Sequence, residues 1–178
     1  MKFNKSTAKQ GGFSMIELMI TLAVITILTA AALYWFTVQR ANARAENGKQ
    51  EILTIDAQAK NLRPNGPYNF DQDDLIAANK IPEAMQTAPG AATGNTIKNQ
   101  WGGTITFGQV TGNPALFEIS SSAIPSSECN TIVGQLEPLY SIIEVGSTTV
   151  KDASTTPTVG SIATACASAA NTVTVTGS

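Results

Sequence analysis

The sequence predicts an α+β protein in which one long N-terminal helix, about residues 13–63, packs on a small antiparallel β-sheet head with short helices. Three observations carry this. No proline or glycine falls between Phe13 and Asn47, and the first proline is Pro64. Apolar or small residues at Val38, Ala41, Ala45, Gly48, Ile52, Ile55, Ala59 and Leu62 recur in alternating steps of three and four, which is one stripe of a helix. Beyond Pro64 the chain turns to short alternating runs separated by Gly, Pro and Asn, the texture of strands and turns.

The first half of the helix is apolar all round. From Leu18 to Gln39, 22 positions carry no charge, and about 20 apolar residues suffice to cross a bilayer. Lys2, Lys5 and Lys9 precede it with no acid among them, a bias that keeps this end in the cytoplasm and sends the rest outward. The second half is amphipathic: Arg40, Arg44, Glu46, Lys49, Glu51, Asp56, Lys60 and Arg63 occupy faces other than the stripe. Gly48 weakens the helix by about 1 kcal/mol relative to alanine without breaking it. A helix of this length is roughly 75 Å long, too long for a domain of 178 residues, so its first half must be buried outside its own fold.

In the head, "PNGPYNF" is turn-rich and "DQDDLIAANKI" reads as a short helix with acids in its first turn, as the helix dipole favours. "QTAPGAATGNT" is a loop, and Trp101 with Gly102 and Gly103 marks the start of a strand, the indole packed on the head's core. "GTITFGQV" and "ALFEISSS" read as neighbouring strands, "PSSECNTIVGQL" as a helix with Cys129, Ile132, Val133 and Leu136 along one face, and "LYSIIEV" as a third strand. The tail from Ser147 is Ser-, Thr-, Ala- and Gly-rich, with one last strand in "NTVTVT".

Composition narrows the chemistry. Beyond Gly12 there are 8 basic and 13 acidic residues, a net charge of −5, which argues against nucleic acid as a main partner. With no histidine, the His-activated nucleophiles and the commonest metal ligand are excluded. Asp71, Asp73 and Asp74 lack the central glycine and closing glutamate of an EF-hand loop and read as solvated helix-start charges. "NQWGG" is not followed by the Lys-Ser/Thr of a phosphate loop. The expectation is therefore no enzyme, no cofactor and no metal site. Cys129 and Cys166, an even count in an exported chain, suggest one disulfide; two buried free thiols are the alternative.

Two readings compete for the N-terminus. Either the Lys-rich start and apolar run form a secretory signal, cut at the small residues Leu28 to Ala32 to release a soluble exported binding domain. Or the cut falls after Gly12 and the run stays, with Glu17 as its fifth residue. Against the first, Glu17 sits early in the apolar core, and apolar character continues through Leu33, Tyr34, Trp35 and Phe36.

"GGFSMIEL" resembles the processing site of type IV prepilins: a short basic leader ending in glycine, then phenylalanine, then glutamate at the fifth mature position. "GPYNF…DDLIAANKIP", "NQWGGTITF" and "IPSSECNTI" with a distant second cysteine resemble the heads of type IVb pilins, most closely major pilins of conjugative thin pili. The resemblance implies that a prepilin peptidase removes residues 1–12 between Gly12 and Phe13 and methylates the amine of Phe13. It implies a membrane and filament-core segment at 13–36, an amphipathic segment at 37–63, and a head at 64–178 whose disulfide region is 129–166. Glu17 then pairs with the N-terminal ammonium of a neighbouring subunit. The implied partners are further copies of the chain in a helical filament, the inner membrane before assembly, and an assembly platform with its ATPase. A minor pilin and a type II secretion pseudopilin share this mechanism. Two features depart from the family patterns: the short leader and Phe13 follow type IVa habit and not type IVb, while the helix-breaking Gly or Pro that many type IVa pilins carry in the membrane half of the helix is absent.

Overall fold

The computed structural model describes residues 14–64, 66–91 and 94–178. Helix α1 spans Met15–Leu62, 48 residues without interruption, or about 72 Å at 1.5 Å per residue. The chain divides after Gln39 into two units. In the first, every described residue of α1 is exposed. In the second, α1 buries Ala45, Gly48, Ile52, Ile55 and Ala59, the inner part of the stripe that the sequence predicts.

What the stripe packs on is a six-stranded, wholly antiparallel sheet. Its strands are β1 (Ile97–Lys98), β2 (Thr104–Val110), β3 (Asn113–Ile124), β4 (Ile142–Val145), β5 (Thr148–Lys151) and β6 (Asn171–Gly177), in the spatial order β1-β2-β3-β6-β4-β5. Side chains alternate across a pleated strand, so register decides what faces inward. Ile105 opposes Ser121, Ile119 opposes Val175, and Val175 opposes Ile143; all are buried. Each large aliphatic side chain moved from water to this core contributes about 1.5–3 kcal/mol.

Three α-helices and a 3-10 turn (Glu83–Met85) complete the head. Helix α2, Gln72–Ala77, starts in a capping box: Asp71 accepts from the Asp73 and Asp74 amides at 2.9 and 3.3 Å, and the Asp74 carboxylate accepts from the Asp71 amide at 3.1 Å. Such reciprocal caps satisfy donors that a helix start leaves unpaired, which is what these acids do. Helix α3, Ser126–Leu136, turns Cys129, Ile132, Val133 and Leu136 into the core, along the face expected. Tyr68 meets Phe117 edge-on at 4.8 Å and Phe70 stacks on Phe107 at 5.2 Å.

The structure departs from the sequence-based reading in the tail. "NTVTVT" forms β6, but this strand lies at the centre of the sheet, between β3 and β4. Val173 and Val175 face the core, and even Thr174 and Thr176 on the opposite side are buried, with Ser120 and Thr174 hydroxyls 2.6 Å apart. Strand β5 and helix α4, Val159–Ala165, were not expected. Each offers almost no apolar pattern: β5 buries only Val150, and α4 buries no residue.

Candidate assembly interface

The first unit is an exposed apolar helical surface along its described residues. Met15, Ile16, Leu18, Leu22, Ile25 and Leu33 are all more than half exposed, and Trp35 is 69% exposed between Tyr34 and Phe36. Threonine hydroxyls would weigh against burying this surface, yet all four between Leu18 and Gln39 are satisfied by the helix itself. Thr21, Thr26, Thr29 and Thr37 donate to the carbonyls of Leu18, Ala23, Ile25 and Tyr34 at 2.7–2.9 Å. An unpaired polar group in a water-free environment costs several kcal/mol; here the helix supplies the acceptors in advance. The threonines thus do not oppose burial of this surface, and α1 is long and apolar enough to cross a membrane.

Glu17 is the exception. It is exposed, in the first turn of α1, where the helix dipole favours a carboxylate. Among the described residues it has no ion-pair partner. Gly12 and Phe13, predicted to flank the leader cut, lie outside the described residues.

The second unit is held to its part of α1 by two polar pins besides the apolar stripe. At one, Asp56 accepts from the Tyr140 hydroxyl at 3.1 Å and lies 3.2 Å from the Lys60 ammonium, which in turn sits 5.5 Å over the Phe117 ring. Burial, then the charge and hydrogen bond of Asp56, push the Tyr140 hydroxyl far above its ordinary value, so it stays a donor. At the other, the loop Asn99–Gly103 lies on α1: Gln100 donates its side-chain amide to the Arg44 carbonyl, and the Trp101 ring occupies the space above Gly48. Burial raises the neighbouring Glu51 carboxyl, an effect partly offset by the Gln100 backbone amide. Sequence reasoning put Trp101 on the core and treated Gly48 as a tolerated weakness. That one fits the other was not readable, because 53 residues separate them.

Cys129 and Cys166 are bridged, with Cα atoms 5.7 Å apart and both residues fully buried. The bridge ties α3 to the end of α4. Beside it the buried Asn171 donates its amide to the carbonyls of Ile124, Cys166 and Ser168, joining the bridged segment to the first residue of β6. Among the described residues no three His, Cys, Asp or Glu side chains are placed to hold a metal ion. The most extended feature of the described residues is the exposed apolar surface of α1.

Comparison with known proteins agrees. Residues 41–178 match the PilS N terminal family, and residues 7–33 match the prokaryotic N-terminal methylation motif, which spans Gly12, Phe13 and Glu17. The motif implies processing by a prepilin peptidase and polymerisation into a pilus. No curated protein sequence matches the chain. Among solved structures, a type IV b pilin from Salmonella typhi superposes with a TM-score of 0.55 at 19% identity, over 72% of this chain and 95% of that one. TcpA, a type IV pilin from Vibrio cholerae El Tor biotype, gives 0.54 at 10% identity, over 76% of this chain and 99% of the other. At such identities the likeness shows the fold: a long N-terminal helix with an antiparallel sheet and short helices. With the family match covering most of its length, the chain belongs to the PilS family and is a type IV pilin, a structural subunit of a pilus and not an enzyme.

Proposed function

We propose that this chain is the major subunit of its pilus, and that assembly rests on Glu17 pairing with the N-terminal amine of a neighbouring copy. Prepilin peptidase cuts between Gly12 and Phe13 and methylates Phe13, removing residues 1–12 as leader. Residues 13–36 then serve twice, as the membrane span of the stored precursor and as the filament core. Residues 37–63 carry the head, 64–178, which faces the outside with its 129–166 disulfide segment. The precursor resides in the inner membrane, and an assembly platform with its ATPase moves it into a filament on the cell surface.

The observation that carries this reading is the first unit of α1: apolar on all sides, each threonine hydroxyl satisfied by the backbone, and one carboxylate without a partner among the described residues. Such a surface moves from lipid to a helix bundle without exposing polar groups. A carboxylate in that setting needs an opposite charge, and cleavage before Phe13 creates an ammonium four residues from Glu17. Subunits stacked with a small axial offset bring the two together.

The test is the mature N-terminus of protein sheared from cells, read by mass spectrometry. A peptide starting at methylated Phe13, from the dominant protein of the sheared fraction, supports the proposal. A start near Ala32 or Leu33 overturns it, since the filament core would then be lost. The correct start in a trace component would make the chain a minor pilin or pseudopilin.

A further inference from the structure

The apolar stripe of α1 has a property that the head must overcome. From Ala41 to Leu62 it steps by four and three without a miss, repeating every seven residues. A periodic stripe does not define its own axial position. Sliding the helix by one turn under the sheet brings another apolar or small residue to each contact, just as a plain heptad seam leaves coiled-coil register open until one odd residue sets it. The odd residue here is Gly48. A Cβ at this position would lie 2.2 Å from Cη2 and 2.8 Å from Cζ3 of Trp101, so the ring occupies the volume of the missing side chain. One turn away on either side, α1 presents Ala45 or Ile52, each with a Cβ that the ring cannot accept.

Trp101 is delivered rigidly. Asn99 accepts from the backbone amides of Trp101 and Gly103 at 3.1 and 2.8 Å, and its own amide donates to Ser121 Oγ at 3.1 Å and to the Ser122 carbonyl at 2.6 Å. Gly103 closes the loop against β3 so tightly that a Cβ there would meet the Ser122 carbonyl oxygen at 2.4 Å. The indole N–H has no acceptor among the described residues, so the ring itself is seated by shape, beside the Gln100 bond to the Arg44 carbonyl that holds the loop on α1.

We propose that Gly48 is a register notch and Trp101 its key: together they are positioning residues that admit one axial position of the head on α1. For the assembly reading above, on which this last consequence rests, they set where along the helix every head is carried. Helix propensity alone favours alanine over glycine at position 48, so the notch reverses the expected sign of that substitution.

The test uses the full chain in detergent micelles with nitroxide labels at Asn42→Cys on α1 and Gln109→Cys on β2. Both positions are exposed, and the native cysteines are bridged and buried. Pulsed electron resonance on this background is expected to give one narrow distance. Trp101→Leu removes the key without crowding the site, so it is expected to add populations displaced by about one helical turn, on the order of 5 Å. Gly48→Ala is expected to do the same or to abolish the native distance. Gly134→Ala, on α3 with open space at its Cβ, should leave the distance unchanged. A single wild-type distance in Trp101→Leu overturns the proposal whatever Gly48→Ala does, and it does so even if the latter fails to fold. The distances are read on unassembled chains, so an error in the filament reading leaves this test intact, and sheared-filament yield judges that reading separately.

Discussion

One helix carries two contrasting surfaces. From Met15 to Gln39, α1 exposes its largest apolar side chains; from Arg40 to Leu62, it buries small ones, Ala45, Gly48 and Ala59, with Ile52 and Ile55 between them. The apolar content of the two halves runs opposite to their burial. The half with its own partner layer needs only a narrow stripe, because sheet and loops close in on it and small residues allow close approach. The other half is exposed along all its described residues and apolar on every face. Hydrophobic residues that a fold does not bury are informative when they are contiguous, and here they mark the surface to which the proposed function assigns lipid and other subunits.

The sharpest way to break this contrast is to show that the first half contributes to the stability of the head. One large contribution within the head is the Cys129–Cys166 bridge, which spans 37 residues and in the chain-entropy picture stabilises by about 4 kcal/mol. Replacing both cysteines by serine is expected to lower the unfolding free energy by that amount, read from urea unfolding of the full chain in detergent extrapolated to zero denaturant. Next, Ile55→Ala should cost about 2–5 kcal/mol by leaving a cavity in the core. Ile25→Ala, the same chemistry on the exposed half, should change the head's unfolding free energy by less than about 0.5 kcal/mol. A cost at Ile25 approaching that at Ile55 would mean that the two halves are not separate in their energetics.

How much of this could be read beforehand follows the same division. The long helix and its stripe were readable because periodicity is a local signal over many residues, and Glu17 stood out because a charge in an apolar run is rare. Strands β2, β3 and β4 and helix α3 were readable for the same reason, each with alternating or one-sided apolar residues. The central place of β6 was not. Alternation in "NTVTVT" tells which faces its side chains take, while its neighbours are decided by the pairing of Val175 with Ile119 and Ile143 from two distant strands. Helix α4 was missed because its stability comes from the bridge at Cys166 and from the Thr158–Ser161 capping box, not from an apolar face. The Gly48–Trp101 fit and the Asp56–Tyr140 bond are contacts at long range between single residues, and such contacts leave no pattern in one sequence.

The Asp56 pin gives a smaller test within the buried half. Tyr140→Phe keeps the ring and removes the hydroxyl that donates to Asp56. A hydrogen bond to a charged group contributes about 1.5–3 kcal/mol, but Lys60 remains beside the carboxylate, so a loss near the lower end is expected. If Tyr140→Phe changes nothing, Lys60 alone satisfies Asp56 and the head is held by packing at this end.

The smallest expected effect has the most specific signature, because it depends on pH. Glu51 lies on the half of α1 that the head covers, and burial raises its carboxyl above the ordinary value of 4.5. The folded chain therefore holds this proton more tightly than the unfolded chain does. Stability then falls as pH rises from the unfolded value through the raised folded one, because over that window the native state binds more protons. Above the folded value the whole penalty is present; below 4.5 it disappears. Glu51→Gln keeps the size of the side chain and removes the ionisation, so it should stabilise at pH 7 and lose that gain as the pH falls through the raised value to 4.5. The gain is small because the group is only half-buried and water screens it. Urea midpoints of the full chain at pH 7 and pH 4 decide the point. A variant less stable than the native chain at pH 7 would mean that the Gln100 amide outweighs burial, and that Glu51 is a polar fastening of the loop to α1, not a charge the head tolerates.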